Sequence, residues 1–370
     1  MLLTIFGFIV ILSVLVLVHE LGHFFTAKFF KIKVEEFGFG FPPRVWGRKI
    51  GETLYSLNLL PIGGFVKLYG EDEAGGGKIG KGEKVTKNLD RAFFARPIWQ
   101  RLIVVVSGVF MNFVLAVAII SFIFATVGAP TPGNDVVVTQ IAKDSPAEGA
   151  GLKTGDIIKK INGEEITQSS QLINITRQNL GKPIRLQIRN PKSEIRNLEI
   201  TPREKYPSDQ GPMGVSIGQK VEIKKYSWYQ APIAGTKEAI KTSVLIVAGV
   251  GTVISEIVRT GGVPQGVAGP IGIAQLTGEF VHSGIYAVLS FLALLSLNLA
   301  ILNVLPIPAL DGGRLFFILI EAVTRRKVPA KFESYAHAVG IALLLALIAL
   351  ITLNDVGRLV SGQPILPKIE

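Results

Sequence analysis

The chain has 370 residues, of which 48% are apolar, a formal net charge of +11 and no cysteine. The chain is more apolar than an ordinary soluble protein, and its apolar residues are clustered rather than spread. Without cysteine there are no disulfides or thiolate metal sites, so a transition metal must be bound by histidine and carboxylate groups. No nucleic-acid-binding motif accompanies the basic charge, so we expect no nucleic-acid partner.

Four stretches are apolar and long enough to cross the hydrocarbon layer, which takes about 20 residues in a helix. They are residues 2–27, 102–127, 286–305 and 338–353. The first is interpreted as a retained span, because it lacks the basic start and the small-residue cleavage site of a signal peptide.

The first span ends in the sequence His19-Glu20-Leu21-Gly22-His23. Histidines four residues apart lie on one face of a helix, so both imidazoles can bind one zinc ion. Glu20 lies beside them and could accept a proton from a water molecule that attacks a peptide carbonyl. Ionisable residues within a membrane are costly and usually functional. Two histidines that are merely hydrogen-bonded inside a helix bundle remain the alternative for this motif alone.

Residues 54–69 combine alternating apolar residues with the sequence Pro61-Ile62-Gly63-Gly64, which predicts a β-hairpin just after the first span. An exposed edge of such a hairpin could pair with an extended substrate. An ordinary cytosolic hairpin explains the same residues equally well.

Residues 128–205 change to short β-rich runs separated by turn residues, which predicts a small β-rich domain. Within it, 143–166 resembles the PDZ domains of bacterial proteases, through Ser145-Pro146-Ala147, Ala150-Gly151-Leu152, Gly155-Asp156 and Ile161-Asn162-Gly163. The resemblance implies that a peptide or a chain end binds at a sheet edge. The alternative is a size filter that excludes substrates with bulky outer domains.

Residues 239–258 are apolar but carry Lys241, Glu256 and several glycines. We expect an amphipathic helix on the outer membrane surface, within a linker that spans 206–284. A fifth crossing here would move the basic sequence Arg325-Arg326-Lys327 to the outer side, against the positive-inside rule.

The third span is followed by Pro306, Pro308 and Asp311-Gly312-Gly313. Irregular backbone at membrane depth is tolerated only where protein or water covers it. An aspartate in such a segment is a candidate third zinc ligand, since a catalytic zinc takes three protein ligands. With four spans, Asp311 and the two histidines lie on the same side of the membrane, whereas a fifth span would separate them.

Basic residues dominate the segments between the first two and the last two spans, which places both in the cytoplasm. The expected protein is thus multi-pass, with its termini and the PDZ domain outside and its active site near the cytoplasmic side. The predicted fold class is a polytopic α-helical membrane protein of four transmembrane helices with an inserted β-rich PDZ domain and a membrane-associated β-hairpin. The predicted segments are 1–127 and 285–370 for the two halves of the core, with 128–205 and 206–284 between them.

Together the HExxH sequence, the Asn303-x-x-Pro306-x-Pro308-x-Leu310-Asp311-Gly312 motif and the PDZ region resemble the site-2 protease family (peptidase family M50), and within it the bacterial regulator-of-sigma-E proteases. The stretches 55–71, 108–113 and 268–276 extend the resemblance over nearly the whole chain. It implies zinc-dependent cleavage within the transmembrane segments of single-pass membrane proteins, such as anti-sigma factors or remnant signal peptides, after an upstream site-1 type protease has cut them. It also implies a bacterial inner-membrane location.

By the same resemblance, Asn298, Asn303, Gly63 and Gly64 are expected to contact substrate; hydrogen bonding between helices is the alternative for the two asparagines. His282 and His337 lie outside any ligand spacing and are expected to be non-catalytic.

Two other classes of function remain open. A metal or proton transporter could use intramembrane His, Glu and Asp residues, but transporters usually contain internal repeats, and this sequence shows none. A catalytically inactive PDZ scaffold is the other alternative, and the intact HExxH and Asp311 argue against it.

Overall fold

The structure, a computed structural model, describes residues 2–71, 89–207, 210–262, 264 and 266–362. Its contacts divide the chain into two compact units, Met1–Ala125 with Ser227–Glu370, and Thr126–Tyr226. We call the first the helical unit and the second the β-rich unit.

The helices and strands are numbered separately, each in chain order. The helices are α1 Leu2–Phe29, α2 Ile98–Thr126, α3 Pro146–Gly149, α4 Ser169–Gln178, α5 Ala231–Thr260, α6 Pro270–His282, α7 Ile285–Val304, α8 Asp311–Thr324 and α9 Ala330–Val360. The strands are β1 Val34–Ile50, β2 Thr53–Leu68, β3 Ala129–Ile141, β4 Ile157–Ile161, β5 Glu164–Glu165, β6 Ile184–Arg189, β7 Ile195–Ile200 and β8 Val215–Lys224.

Five of the described helices, α1, α2, α5, α7 and α9, are long and apolar enough to cross a membrane. They make the chain a multi-pass membrane protein. The sequence predicted four spans, and α5 is the additional candidate: 239–258 lies within a helix of 30 residues whose only proline stands in its first turn, where proline is tolerated.

The helices α1 and α2 approach each other closely at Gly22. A Cβ atom added at Gly22 would lie 2.3 Å from the backbone oxygen of Ser107, so only glycine fits there. Close backbone contact of this kind is common where helices pack within membranes. It brings the C-terminal half of α1, which carries both histidines, against the N-terminal half of α2.

Helix directions alternate between α1, α2, α7 and α9. Gly278 of α6, which leads directly into α7, packs against Thr4 in the first turn of α1, so α1 and α7 start at the same end. At this end too, Asp355 near the C-terminus of α9 accepts the backbone N–H of Gly272 in α6 (2.8 Å). The start of α2 packs beside the end of α1. Hence α1 and α7 run one way, and α2 and α9 run the other way.

The strands β1 and β2 form one two-stranded sheet with strong irregularities. Glu36 to Phe39 pairs with Leu54 to Leu57 on one side and with Lys67 to Gly64 on the other, so β2 reverses direction between Leu57 and Gly64. The sequence predicted a simple hairpin within 54–69. The chain does turn near Gly63, which has φ +84°, but a segment of β1 lies between the two arms.

The β-rich unit contains a six-stranded sheet of order β7-β6-β4-β3-β8, with β5 paired to β4. Its core is formed mainly by isoleucine and leucine side chains, among them Ile158, Leu172 and Leu186. Between β4 and β5, Asn162 (φ 51°) and Gly163 (φ 91°) make a left-handed turn, which is typical of an Asn-Gly pair. Strand β8 pairs with β3, so the unit extends to Tyr226 and past the boundary at 205 drawn from the sequence.

One carboxylate joins three neighbouring strands of this sheet. Asp135 of β3 accepts hydrogen bonds from Lys159 of β4 and from Arg189 of β6, the latter at 2.9 Å. The hydrogen bond from Lys159 lowers the pKa of the Asp135 carboxyl below its usual value, and the charge of Arg189 acts in the same direction.

Replacing Asp135 by Asn should weaken the sheet by about 1–2 kcal/mol at neutral pH, since a hydrogen-bonded charge pair is lost. Because the folded-state pKa is depressed, the stabilisation is present above the unfolded value of about 4 and is lost as pH falls through the folded pKa. Hydrogen exchange of the β3, β4 and β6 amides should therefore be faster in D135N than in the wild type at pH 7, and the difference should shrink towards pH 3. A difference independent of pH would contradict the role of the carboxylate charge.

Candidate metal centre

The structure brings His19, His23 and Asp311 together, although His19 and Asp311 are 292 residues apart. The Nε2 atoms of the histidines lie 3.2 Å from each other, and each faces Asp311 Oδ2, at 2.9 Å for His19 and 3.2 Å for His23. Neighbouring ligands of a tetrahedral zinc with bonds near 2.0 Å are about 3.3 Å apart. The three atoms thus have the spacing of a zinc ligand set.

The hydrogen-bonding of His23 shows that these atoms suit a cation. Its Nδ1 lies 2.8 Å from the backbone oxygen of Val104, which can only accept, so Nδ1 carries the proton. A neutral His23 then presents the lone pair of Nε2 to the Asp311 carboxylate and to His19. Electron-rich atoms that converge in this way form a site that suits a metal ion.

Asp311 reaches this position because the chain breaks after α7. Pro306 and Pro308 end the helix, and Ala309 has a positive φ of 90°. The helix α8 then starts at Asp311, where Gly312 fits so tightly against the end of α7 that a Cβ would lie 1.9 Å from the backbone oxygen of Leu305. The predicted irregular segment is therefore present, and it aims the carboxylate at the histidines.

His337 supports the same loop from α9. Its Nδ1 accepts the backbone N–H of Ala309 at 2.9 Å, which satisfies an amide in the strained turn. His337 lies outside any ligand spacing in the sequence, and in the structure it does not join the group of His19, His23 and Asp311. Its contact with the loop could not be foreseen, because it depends on how α9 packs.

Glu20 lines a cavity of about 210 Å³ together with His23 and Asp311. This cavity is large enough to hold several water molecules. A carboxylate beside a metal site and open to water is placed to exchange protons with a water molecule in the cavity.

Arg314 lines this cavity and was missed by the sequence reasoning. It forms an ion pair with Glu71, whose second carboxylate oxygen accepts the backbone N–H of Leu68 (3.1 Å). The pair thereby ties α8 to the end of β2. A signal existed, since Arg314 stands three residues after Asp311, on the same face of a largely apolar helix.

The four residues expected to contact substrate occupy different positions. Gly64 lies beside Glu20, because a Cβ at Gly64 would be 3.8 Å from Glu20 Cγ, and Gly63 precedes it in β2. Asn303 is buried at the end of α7. Asn298 donates to the backbone oxygen of Leu294 in its own helix (3.0 Å) and does not belong to the buried face of α7.

Asn112 of α2 is a further polar residue at the site. It is fully buried, and its Nδ2 is placed 3.3 Å from Nδ1 of His19, while Ser296 of α7 donates to its backbone oxygen (2.8 Å). Close by, Gly108 leaves room for the ligands. A Cβ at Gly108 would lie 2.3 Å from His23 Nε2 and 2.8 Å from His19 Cε1.

Comparison with known proteins gives a consistent result across the chain. The family model described as peptidase family M50 matches residues 7–347. The zinc metalloprotease RasP of Geobacillus kaustophilus is 32% identical, over 96% of this chain and 98% of its own length. The regulator of sigma-W protease RasP of Bacillus subtilis is 28% identical, over 96% and 99%. The PDZ domain of an SdrC-like protein from Listeria monocytogenes matches in structure with a TM-score of 0.21 and 19% identity, over 23% of this chain and 87% of that domain.

Replacing Gly108 by Ala should lower the affinity for a divalent metal ion at least tenfold, because the added methyl group meets both imidazoles. Gly249→Ala in α5 is a matched control, since a Cβ there meets nothing within 4 Å. Both affinities can be measured on the purified chain by competition with a chromophoric chelator. Equal affinities for the two variants would show that the space at Gly108 is not used by the ligands.

Proposed function

Because the chain belongs to peptidase family M50, we propose that it is a zinc metalloprotease that hydrolyses peptide bonds within the transmembrane segments of single-pass membrane proteins. The observation that carries the proposal is the convergence of His19, His23 and Asp311 beside Glu20, inside a bundle of membrane-type helices. Both RasP relatives are named as proteases and align over almost their whole length.

His19 and His23 would supply neutral Nε2 ligands and Asp311 a carboxylate ligand, which is a donor set that zinc accepts. Three protein ligands leave a fourth position for water or substrate. Zinc, when bound there, polarises the scissile carbonyl and makes water a better nucleophile at neutral pH.

Glu20 is the proposed general base. It faces the water-accessible cavity beside the ligands, so it can accept a proton from the attacking water. The same carboxyl group then donates this proton to the nitrogen of the leaving amine, which leaves Glu20 ionised for the next cycle.

The substrate must be extended to be cut, because a helix hides its peptide bonds. The outer arm of β2, from Gly64 to Leu68, pairs with β1 on one side and runs past Glu20. An unfolded substrate segment could add to this arm as a further strand, with Gly63 and Gly64 allowing close approach. Asn303 and Asn298 on α7 are proposed as further substrate contacts. The buried Asn303 lies at the C-terminal end of α7, the end that leads to Asp311.

The β1–β2 sheet is proposed to associate with the membrane, with lipid as its partner. Its far half exposes large apolar side chains, among them Phe41, Val45, Trp46, Ile50, Leu59 and Leu60. Exposed apolar patches of this kind mark sites of contact with a membrane or another protein.

Four crossings, α1, α2, α7 and α9, are proposed. The end of α2 and the start of α7 lie at the same end of the bundle, since α1 and α7 run in one direction and α2 in the other. The intervening chain then makes an even number of crossings, and only the short segment 261–269 follows α5 before α6. A helix α5 that stays in the outer half of the membrane satisfies this, and Gly235 in its first half packs against Ser121 near the outer end of α2.

In this topology the termini and the PDZ domain lie outside a bacterial inner membrane, and the metal centre lies near the cytoplasmic side. The proposed substrates are of the anti-sigma factor or remnant signal peptide type, and an upstream site-1 type protease cuts them first. A peptide or chain end is the proposed ligand of the PDZ domain. The name of the Bacillus subtilis relative, a regulator of sigma-W, supports the first substrate class.

The roles of Glu20 and Asp311 can be separated by their conservative variants. Glu20→Gln should keep most of the bound zinc but lose cleavage of single-pass membrane segments by at least about 100-fold, which is the usual contribution of a general base. Asp311→Asn should lose both zinc and cleavage. The measurements are the zinc content of the purified chains and cleavage of a panel of single-pass substrates.

The alternative functions give other outcomes when flux across vesicle membranes is measured beside cleavage. A transporter would move metal ions or protons across vesicle membranes whether or not substrate is cut. An inactive scaffold would cut no substrate even as wild type. Either result would overturn the proposed function.

The chain has no cysteine, so single cysteines can report its topology. With four crossings, Gly262→Cys after α5 and Lys192→Cys in the β-rich unit should both react with an impermeant maleimide added to whole spheroplasts, while Lys327→Cys should react only after lysis. A Gly262→Cys chain that reacts only after lysis would show that α5 crosses.

A further inference from the structure

Burying the polar side chain of Asn112 at its position in α2 costs free energy. Asn112 lies fully buried in the apolar helix α2, where a polar side chain needs hydrogen-bond partners. Its Nδ2 is placed 3.3 Å from Nδ1 of His19, and its Oδ1 has no hydrogen-bond partner among the described residues. A buried amide that is half satisfied at a metal ligand calls for a physical explanation.

The partner atom on His19 must be a donor when a metal is bound. Nε2 of His19 faces Asp311 and His23 and so is the atom available to a metal. A neutral imidazole that offers the lone pair of Nε2 carries its proton on Nδ1. Nδ1–H would then face the N–H groups of Asn112, and two donors cannot form a hydrogen bond.

A half-turn of the Asn112 amide removes this conflict. The oxygen and nitrogen of an amide have nearly the same shape, and their positions are decided by the hydrogen bonds they make. After the half-turn, Oδ1 faces Nδ1–H of His19 and accepts from it. The amide nitrogen then occupies the position in which Oδ1 had no donor.

His23 shows the same arrangement. Its Nδ1–H donates to the backbone oxygen of Val104, which lies on α2 two turns before Asn112. One face of α2 would therefore provide an acceptor for each histidine. Partners of this kind fix the tautomer and the ring orientation of metal-binding histidines.

We propose that Asn112 is a positioning residue of the metal centre, whose Oδ1 accepts the Nδ1–H of His19 and holds this imidazole in the tautomer that binds zinc. The proposal rests on the proposed zinc site. Asn112 does not touch substrate or zinc, and it acts through His19 alone.

Three variants of the full-length chain test the proposal by zinc affinity, measured by competition with a chelator. Asn112→Leu keeps the volume but removes the acceptor, and should weaken zinc binding roughly 10–100-fold, as is usual for the loss of such a partner. Asn112→Asp keeps an acceptor, so this variant should bind zinc at least tenfold more tightly than N112L. Ser296→Ala is the matched control, because it removes the hydrogen bond to the Asn112 backbone and leaves the side chain untouched; its affinity should equal that of the wild type.

An N112L chain that folds and binds zinc like the wild type would overturn the proposal, because a residue needed only for packing tolerates Leu. If N112L does not fold, the proposal is tested by the NMR signal of the Nδ1 proton of His19. This signal is compared between the zinc-loaded wild type and Asn112→Asp, both labelled with ¹⁵N-histidine. It should be downfield, exchange slowly and move on Asn112→Asp; a proton unaffected by Asn112→Asp would overturn the proposal. A wild-type chain that binds no zinc would instead overturn the proposed function, so the two failures are distinguishable.

Discussion

The close approach of α1 and α2 is the contact on which the metal centre depends. Glycines at 22 and 108 let the two helix backbones meet, and any side chain there would strike either backbone or imidazole atoms. In a membrane, where the hydrophobic effect does not drive helices together, such close packing is a main source of helix association. It places Val104 and Asn112 beside the two histidines, so the helix that carries no predicted ligand fixes the orientation of both rings.

The start of helix α8, which carries Asp311, completes the site. The chain between α7 and α8 cannot continue as a helix because of its prolines, and it leaves Asp311 at the start of α8, directed at the histidines. His337 from α9 accepts an amide hydrogen of this loop, and Arg314 with Glu71 joins α8 to the sheet. Asp311, the proposed third ligand, is thus held by four separate elements, which limits the movement of its carboxylate. Pre-organisation of this kind is what a catalytic metal site requires.

The sheet formed by β1 and β2 combines two properties that the proposed reaction needs. One arm of β2 runs beside Glu20, and the far half exposes apolar side chains. A helical substrate that enters from lipid would meet a strand edge next to Glu20, the proposed general base, and pairing with that edge would keep the substrate extended. Backbone hydrogen bonds make such recognition tolerant of substrate sequence.

The sequence by itself determined the apolar helices, the HExxH spacing, the helix break at Pro306 and Pro308 and the turn at Asn162-Gly163. Each of these features depends only on neighbouring residues and on the periodic spacing of apolar residues along the chain. The sequence also indicated Asp311, since few acids occur near an apolar span. It did not determine the full extent of α5, which continues beyond 239–258 at both ends, from Ala231 to Thr260.

Only the tertiary structure decided the contacts between distant segments. The insertion of β1 between the arms of β2 depends on pairing across the sheet, so the local turn signal at Gly63-Gly64 could not reveal it. The contacts of Asn112 and His337 likewise depend on which helix faces which, and the sequence carries no periodic signal for that. Local patterns therefore predicted the candidate metal ligands, while long-range packing decided what orients them, because orientation is set by partners that lie far away in sequence.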